Sequence, residues 1–266
     1  MVIIGERINT SRKLIAPAVV AKDAEFIKAE AIKQLEAGAS YIDVNCGTMV
    51  EQEPEFLEWL VLTVQKFTNQ ALCAIDSPSP KALERALKAH QGQALINSIT
   101  AEQERFQAVL PLIRDYKTKI IALTMNDDGM PETAEARLKI AAFLVENLTK
   151  AGVALDDIYV DPMVRPVSTG TQYGSIVFET IRMINREFPG LHTSCGLSNI
   201  SYGLPARKVI NHTFLVMAMM AGLDAAILDP LDKRLMSLVY ASELLLEKDE
   251  YAMNYITAFR SEKLEI

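Results

Sequence analysis

Cysteine and histidine are scarce in this chain, with three of each among 266 residues. Cys46, Cys73 and Cys195 lie far apart and form no C-x-x-C pair, so the sequence predicts neither a disulfide framework nor a cysteine zinc site. We expect these cysteines to be buried apolar thiols. The histidines also lack the close spacing of metal ligands, so no metal site is predicted.

The chain also has fewer basic than acidic residues, and its N-terminal segment contains no long apolar run. The formal net charge is -7 at pH 7, whereas a protein that binds the phosphate backbone of nucleic acids needs a basic surface. Only four apolar residues come before the GERIN segment at the start of the chain, too few for a signal-peptide core or a membrane span. We therefore expect a cytoplasmic protein whose partners are neither nucleic acids nor membranes.

Half of the residues are hydrophobic, and many of them form eight short strand-like runs separated by segments with helical periodicity. The runs are almost continuously apolar, as expected for parallel strands that are buried on both faces. They cover residues 2–5, 41–45, 72–75, 94–97, 120–124, 158–160, 192–196 and 225–228. Eight such units in a chain of this length predict a single α/β domain over residues 1–266, a (β/α)8 TIM barrel.

Helical periodicity is clearest over residues 24–37, 54–67 and 134–150, and a further helix is predicted over about 206–221. After the last strand, helices are expected over about 231–247 and 251–260. A doubly wound open sheet is the alternative fold. It is disfavoured because residues 5–9 lack the glycine-rich turn of a dinucleotide site.

Nearly every predicted strand is followed by a carboxylate or a carboxamide side chain. These residues include Glu6, Asn9, Asp43, Asn45, Asp76, Asn97, Asn126, Asp161, Asn199 and Asp229. Any one of them could simply cap the helix that follows. In a TIM barrel, however, the carboxyl ends of all eight strands surround one opening, and the active site lies there. The sequence therefore predicts a polar ligand site at that end of the barrel.

A site rich in Asp and Asn suits a neutral heterocycle whose edge carries both hydrogen-bond donors and acceptors. A carboxylate accepts from a ring N–H and an adjacent amino group together, and a carboxamide pairs with one donor and one acceptor. The edge of a pterin has this pattern. Phosphosugar chemistry fits less well because no glycine-rich phosphate loop is present near the last two strands. A glycosidase would use paired carboxylates, but Trp59, the only tryptophan, falls in a predicted outer helix.

The segment after the seventh predicted strand combines turn residues with polar side chains. Gly196 and Gly203 allow tight turns. Asn199 lies in the loop between them, and Arg207 lies in the first turn of the next predicted helix. Both side chains could contact a ligand. Alternatively, Asn199 could close an Asx-type turn while Arg207 lies in solvent. The residues alone leave both interpretations open.

Seven stretches of the chain, in the right order, resemble the pterin-binding methyltransferases, and most closely the methyltetrahydrofolate:corrinoid protein methyltransferases. They are GERIN (5–9), LCAIDS (72–77), INS (96–98), LTMN (123–126), YVDP (159–162), GLSNIS (196–201) and INHTFLVMAM with GLDAAI (210–227). The resemblance covers essentially the whole chain. It implies a (β/α)8 barrel, usually a homodimer, that moves a methyl group between N5 of tetrahydrofolate and the cobalt of cobalamin on a partner corrinoid protein.

The same resemblance implies roles for individual residues. The positions that contact the pterin are matched by Asp76, Asn97, Asp161, Gly196, Ser198, Asn199 and Arg207. The first three hold the ring, Asn199 hydrogen-bonds N5, and the others form further parts of the pocket. Asn199 and Asp161 are the implied catalytic residues. Tyr202 departs from the glutamine of the acetogen-type enzymes, so the local hydrogen bonding and the partner could differ.

Two other functions stay open on the sequence alone. Dihydropteroate synthases share the fold and the pterin pocket, but their second strand leads to a Ser/Thr-Arg-Pro anion loop, whereas Asp43 is followed by VNCGTMV. A non-catalytic module that binds a pterin or a corrinoid protein would need the ring contacts without Asn199. The chain has no Asp-x-His-x-x-Gly motif, so we expect the corrinoid to arrive on a separate protein. The direction of methyl transfer is not predicted.

Overall fold

The computed structural model describes residues 1–68 and 71–265, and its eight strands form one parallel sheet in the order β7-β6-β5-β4-β3-β2-β1-β8. The strands are β1 Val2–Asn9, β2 Tyr41–Asn45, β3 Cys73–Asp76, β4 Leu95–Thr100, β5 Lys119–Leu123, β6 Ile158–Asp161, β7 His192–Thr193 and β8 Ala225–Leu228. The segment after β7 joins β8 through a parallel bridge between Gly196 and Ile227. This bridge brings the two edges of the sheet together. The predicted (β/α)8 barrel is confirmed.

Helices alternate with the strands and surround the sheet. In the described residues they are α1 Ile15–Val20, α2 Ala24–Glu36, α3 Glu53–Phe67, α4 Pro80–Ala89, α5 Gln103–Tyr116, α6 Ala134–Lys150, α7 Tyr173–Glu187, α8 Arg207–Ala221, α9 Lys233–Leu245 and α10 Met253–Arg260. Side-chain caps start several of them; Ser79, for example, accepts from the N–H of Ala82 at the start of α4. Within residues 1–68 and 71–265, no helix combines the length and the apolar character that crossing a membrane requires.

Only β2 and β8 have the predicted bounds; β3, β5 and β6 differ by a residue at one or both ends, β4 extends to Thr100 instead of ending at 97, and β1 and β7 differ for reasons that the pairing explains. β1 continues four residues past the predicted end at position 5, because its pairing with β2 shifts register and then resumes as far as Asn9. β7 is shorter than the predicted 192–196. The backbone there changes partner: Ser194 N–H donates to Val160 O of β6, whereas Cys195 O accepts from Ile227 N–H of β8.

Alternation along the strands arranges the barrel interior in layers. Its apolar floor is a cluster of buried side chains: Ile4, Tyr41, Ala74, Leu95, Ile121, Tyr159 and Ala225. Successive side chains of a strand point to opposite faces, so the residue two positions further along points inward again. On β2, β3, β4 and β6 that residue is Asp43, Asp76, Asn97 and Asp161. A polar layer therefore lies directly above the apolar floor, at the carboxyl ends of the strands.

The larger hydrophobic core lies between the sheet and the helices. Cys46, Cys73 and Cys195 belong to it and have no exposed surface. Burial raises the pKa of all three thiols, that of Cys46 to about 12. These are the buried, inert thiols that the sequence predicts.

Candidate active site

Neighbouring strands place the first polar side chains of the site next to one another. Asp76 of β3 is in register with Asn45 of β2 and with Asn97 of β4. Asn45 Nδ2 donates to Asp76 Oδ2 at 2.8 Å, and Asn97 Nδ2 donates to Asp43 Oδ1 at 3.3 Å. The structure thus brings the predicted residues Asp76 and Asn97 together. It adds Asp43 and Asn45, two strand-end residues to which the sequence resemblance assigned no role.

The two aspartates of this group, Asp43 and Asp76, differ in how far burial raises their pKa values. Burial, followed by the charge of Asp76, raises the pKa of Asp43 well above its usual value. Burial also raises the pKa of Asp76, to about 6, although the hydrogen bond from Asn45 opposes the shift. Two like charges this close in a buried site do not readily ionise together. Burial therefore favours the protonated form of Asp43, and Asp76, whose pKa is raised to about 6, is the aspartate that ionises and can accept from a ring N–H.

Asp161 forms a second acidic position on β6. Its side chain is 7% exposed, and burial raises its pKa to about 7. The N–H of Met163 donates to Asp161 Oδ1 at 2.7 Å, and the backbone of Gly196 also hydrogen-bonds the carboxylate. These backbone donors favour the ionised form, whereas burial opposes it. Asp161 is thus a carboxylate that can take up or release a proton near neutral pH.

Two arginines from the outer helices hold the loops on this side of the barrel. Arg105 of α5 donates to Ser98 O at 3.1 Å and to Ser77 O at 2.9 Å. Arg137 of α6 is fully buried and donates to Met163 O at 3.0 Å, as well as to the carbonyls of two prolines. The end of β4 and the loops after β3 and β6 are therefore tied to the helices behind them, which fixes the neighbouring carboxylates and amides.

Neither arginine is among the residues predicted above, although the sequence contains a signal for both. Arg137 falls on the same helical stripe as the buried residues Ala141 and Leu144. Arg105 precedes the buried residues Val109 and Ile113 of its helix by four and eight positions. An arginine on the apolar stripe of a helix that directly follows a barrel strand is expected to reach buried carbonyls rather than solvent.

The loop after β7 has a different character. It contains the short 3-10 turn Leu197–Ser201, and the side chain of Asn199 is exposed. Its backbone N–H donates to Gly196 O at 3.3 Å, but its carboxamide makes no hydrogen bond to the described residues. The structure therefore does not support the alternative in which the Asn199 side chain closes an Asx-type turn. The amide is free to meet a ligand.

Other residues of this loop position Asn199. A Cβ atom at Gly196 would lie 3.0 Å from Asn199 Nδ2. The absence of a side chain at Gly196 therefore leaves room for the Asn199 carboxamide. Arg207 donates through Nη2 to Ser198 O at 2.6 Å and through Nε to Ser201 Oγ at 3.0 Å. The predicted residues Gly196, Ser198 and Arg207 are thus brought together around Asn199. Arg207 holds the loop instead of lying free in solvent.

Several strand-end residues take no part in this constellation. Asn126 closes a turn in which its Oδ1 accepts from the N–H of Asp128 at 3.2 Å. Asp229 pairs with Arg7 at 2.8 Å. Glu6 is half-buried near Asp229, and burial is the main cause of its raised pKa. Unlike Asn126 and Asp229, it contacts the loop that carries Asn199, because Ser198 Oγ donates to Glu6 Oε1 at 3.4 Å. Among the residues that the structure describes, no group of His, Cys, Asp and Glu could hold a metal ion.

Comparisons with known proteins agree with this geometry. A family model described as "Pterin binding enzyme" matches residues 5–229. The chain is 36% identical over 266 residues to a methylcorrinoid:tetrahydrofolate methyltransferase of Eubacterium limosum, covering 99% of this chain and 98% of that protein. It is 30% identical over 241 residues to the methionine synthase of Mycobacterium tuberculosis, covering 85% of this chain but 20% of that longer protein.

A solved structure shows the same fold at lower sequence similarity. The Yersinia pestis dihydropteroate synthase, determined as a sulfonamide drug complex, superposes with a TM-score of 0.69 at 16% identity, covering 92% of this chain and 94% of that one. An identity this low supports the fold alone. The family match extends over most of the chain, and the Eubacterium limosum relative matches it nearly end to end. The chain therefore belongs to the family of pterin binding enzymes.

Proposed function

We propose that this protein is a corrinoid-dependent tetrahydrofolate methyltransferase, which moves a methyl group between N5 of tetrahydrofolate and the cobalt of a corrinoid protein. The observation that carries the proposal is the position of an exposed, unpaired amide, Asn199, beside the polar layer of the barrel. Similarity along 99% of the chain to a methylcorrinoid:tetrahydrofolate methyltransferase supports it. A module that only bound pterin would need the polar layer but not the free amide.

The polar layer suits the edge of the pterin ring. Asp76 Oδ1 and Asn97 Oδ1 have no hydrogen-bond partner among the described residues, so both are available as acceptors. Asp161 adds a second carboxylate. Ionised Asp76 and Asp161 can accept from N3–H, from the 2-amino group and from other ring donors. Asp43 holds the amide of Asn97 and so presents its oxygen to the ligand.

The transfer step is a displacement at the methyl carbon. In one direction cobalt(I) of the corrinoid substrate would supply the electron pair, and N5 would leave with the pair of the broken C–N bond and take up a proton. In the other, N5 would attack the methyl group of the methylcorrinoid, the pair of the broken Co–C bond would stay on cobalt as cobalt(I), and N5 would lose its proton. The Asn199 carboxamide can donate through Nδ2 or accept through Oδ1, so one side chain stabilises both states of N5. Asp161, with a pKa of about 7, can hold the exchanged proton through ordered water.

Turnover under anoxic conditions tests the proposed function. Purified protein is mixed with tetrahydrofolate and a methylated corrinoid protein, and formation of methyltetrahydrofolate is followed together with the loss of the methylcobalt absorbance. The reverse reaction starts from methyltetrahydrofolate and reduced corrinoid protein. Similarity to the methylcorrinoid:tetrahydrofolate methyltransferase of Eubacterium limosum favours methyl transfer from the corrinoid protein to tetrahydrofolate. Folate binding without methyl transfer in either direction would indicate a binding module and contradict the proposal.

We further propose a homodimer formed through helix α8. Its outward face carries a row of exposed apolar side chains, with Val209 66%, Met217 49% and Met220 70% exposed. Apolar residues at helical spacing normally face a partner surface. An adjoining apolar cavity of 310 Å³ between α7 and α8 offers room for side chains of a second copy. A cytoplasmic location stays a prediction of the sequence.

Sedimentation analysis tests the dimer. Wild-type protein at micromolar concentration should sediment as a dimer, and Met220→Glu should sediment as a monomer because the new charge would be buried in the interface. Exposed Phe143 on α6 lies outside the proposed surface, so Phe143→Glu is the matched control. A monomeric wild type, or a dimer that tolerates Met220→Glu, would contradict the α8 interface.

A further inference from the structure

The seam between β7 and β8 lacks the backbone ladder that joins the other neighbouring strands of the described chain. Toward the barrel mouth, the bridge between Gly196 and Ile227 closes it. At its amino end, where the strands begin, no backbone bond joins β7 to β8 within residues 1–68 and 71–265, and Thr193 Oγ1 reaches Gly222 O only at 3.4 Å. Closure of this end therefore depends on side chains.

Asp224, directly before β8, spans the amino end of the seam. Its Oδ1 accepts from the backbone N–H of Thr193 at 2.8 Å, and its Oδ2 lies 2.6 Å from His192 Nδ1. Its own carbonyl oxygen accepts from Val2 N–H of β1 at 2.8 Å. The carboxylate thus accepts a backbone N–H of β7, as a carbonyl of the neighbouring strand would in a ladder.

His192 lies between two carboxylates. Its Nδ1 faces Asp224, and its Nε2 lies 3.1 Å from Asp156 Oδ1. Its ring stacks on Tyr159 of β6, with ring centroids 4.7 Å apart and an interplanar angle of 18°. Burial raises the pKa of Tyr159 to about 12, so its phenol stays neutral where histidine titrates.

The two carboxylates favour the protonated form of His192. A neutral imidazole donates from only one of its nitrogens, whereas the imidazolium donates from both. The hydrogen bond to Asp224 is the main cause of the raised pKa of His192, and burial opposes it.

The other charged groups nearby make Asp224 the main partner of His192. Lys119 of β5 lies 3.7 Å from Asp156 and 3.3 Å from Asp157, and the Asp156 side chain is 79% exposed. Asp156 therefore contributes less, because solvent and Lys119 both weaken its attraction to the imidazolium. Helix α7 also packs against β7, but within the described residues it forms no ion pair with His192.

We propose that protonated His192 and Asp224 form an ion pair that holds the amino end of the β7–β8 seam closed, and that the seam loosens when His192 loses its proton at alkaline pH. The same segment continues to Cys195, whose carbonyl accepts from Ile227 N–H, and to Asn199 four residues later. A loosened seam therefore weakens the wall that carries the Asn199 loop.

The direction of the pH effect follows from the raised pKa of His192. Below the unfolded value of ~6.5, histidine is protonated in both the closed and the open state, and the ion pair stabilises the closed seam fully. This contribution is lost as the pH rises through the higher value of the closed state. The seam is therefore firm at acid and neutral pH and loose at alkaline pH.

Amide hydrogen exchange followed by NMR tests the ion pair without any ligand. Thr193 N–H reports opening of the seam, because its acceptor is Asp224. Ile42 N–H, which donates to Leu72 O at 3.0 Å between β2 and β3, reports another part of the wall. The ratio of their protection factors separates local opening of the seam from opening of the whole barrel.

Three proteins are compared: wild type, His192→Gln and His212→Gln. Glutamine can still donate one hydrogen bond, but it does not titrate. His212 is the matched control, because its Nε2 also lies 3.1 Å from an aspartate, Asp232, but on α8. Each variant is read against wild type at the same pH, since Asp161 titrates near neutral pH and hydrogen-bonds the backbone of Gly196.

From about pH 6 to about pH 9, the protection of Thr193 N–H relative to Ile42 N–H should fall about three- to tenfold more in wild type than in His192→Gln. This range lies between an exposed ion pair and a buried charged hydrogen bond. At pH 6 the variant should already show weaker protection of Thr193, and His212→Gln should follow wild type. In wild type, the ring of His192 should still be protonated at neutral pH.

An equal pH dependence of this ratio in wild type and His192→Gln would overturn the proposal, and so would an equal loss of protection in His212→Gln. A wild-type His192 ring that titrates at or below pH ~6.5, as an unperturbed histidine does, would also overturn it. This last measurement needs no variant, so it decides the matter even if His192→Gln fails to fold. None of these results depends on folate binding or methyl transfer.

Discussion

The two sides of the barrel mouth present their polar groups in opposite ways. On the side of β3 to β6, Asp76 and Asp161 emerge from the strands themselves, and buried or half-buried arginines tie down the loops that follow. On the side of β7, Asn199 lies on a short exposed turn with its amide unpaired. The first arrangement suits recognition of a rigid ring. The second suits a group that has to meet both the reacting nitrogen and an approaching partner protein.

Removing Asn199 is the strongest test of this comparison. Asn199→Ala should lower the rate of methyl transfer by about 10²–10³, roughly 2.7–4 kcal/mol, the scale for losing one preorganised donor. The folate dissociation constant should rise much less, because the ring contacts remain. Folate titration, thermal melting and single-turnover transfer on one preparation separate these effects. Equal losses of affinity and rate would refute the catalytic role.

Replacing a loop-holding arginine tests whether the recognition side owes its geometry to buried hydrogen bonds. Arg137→Met leaves three carbonyls without their donor, so the free energy of unfolding should fall by about 3 kcal/mol. Arg207→Met, on the exposed side, should cost about 1 kcal/mol. Denaturant titration gives both values. A larger loss of unfolding free energy in Arg207→Met than in Arg137→Met would contradict the view that buried hydrogen bonds hold the side of β3 to β6 more firmly than the side of β7.

Replacing one ring acceptor should have a smaller effect, confined to binding. Asp76→Ala leaves ring donors facing a desolvated wall, which should weaken folate binding by about 1–3 kcal/mol. Asp229, which pairs with Arg7, provides the comparison, because Asp229→Ala should leave ring affinity nearly unchanged. Calorimetry with a tailless tetrahydropterin measures both. Unchanged affinity in Asp76→Ala would remove this residue from the pterin site.

The smallest expected effect is a pH dependence with opposite signs for stability and binding. Burial raises the pKa of Asp161 to about 7, whereas in the unfolded chain it titrates near 4. Between these values the folded protein holds a proton that the unfolded chain has released. The contribution of Asp161 to stability is therefore fully present below pH ~4 and is lost as the pH rises through ~7.

Folate binding should show the reverse trend, because the ionised carboxylate is the better acceptor. Affinity should increase between about pH 6 and pH 8, across the pKa values of Asp76 and Asp161. Melting curves and folate titrations over this range measure both trends, with Asp161→Asn as the variant in which both become flatter. A wild-type affinity independent of pH would show that neither carboxylate changes ionisation on binding.

The polar layer could be predicted from the sequence because strand periodicity determines it. Once the apolar floor is located, Asp76, Asn97 and Asp161 follow two positions later on their strands. The residues alone single out Asn199 but leave two interpretations open, and the resemblance assigns it to N5; no local pattern reveals that its amide is free. Asn126, also at a strand end, closes its own turn instead, because a short side chain bonds equally well to the backbone next to it.

Tertiary contacts decided the features that the sequence did not predict. The loops are held by Arg105 and Arg137, whose acceptors lie in distant parts of the chain. The short β7 arises because the backbone near Cys195 leaves one neighbouring strand for the other. Both depend on groups brought together only when the barrel closes, so a window of local sequence can mark each arginine on its helical stripe but not the carbonyls that it reaches.

Because the three cysteines are buried, their reaction with a thiol reagent reports local opening of the folded protein. Cys46 follows β2, Cys73 lies on β3 and Cys195 directly precedes the Asn199 loop, and none has exposed surface. A thiol reagent can therefore modify each one only when its part of the barrel opens. Because the thiols lie in different parts of the structure, their separate labelling rates measure local opening segment by segment. Bound folate should slow the labelling of Cys195 most, since that opening has to displace the ligand.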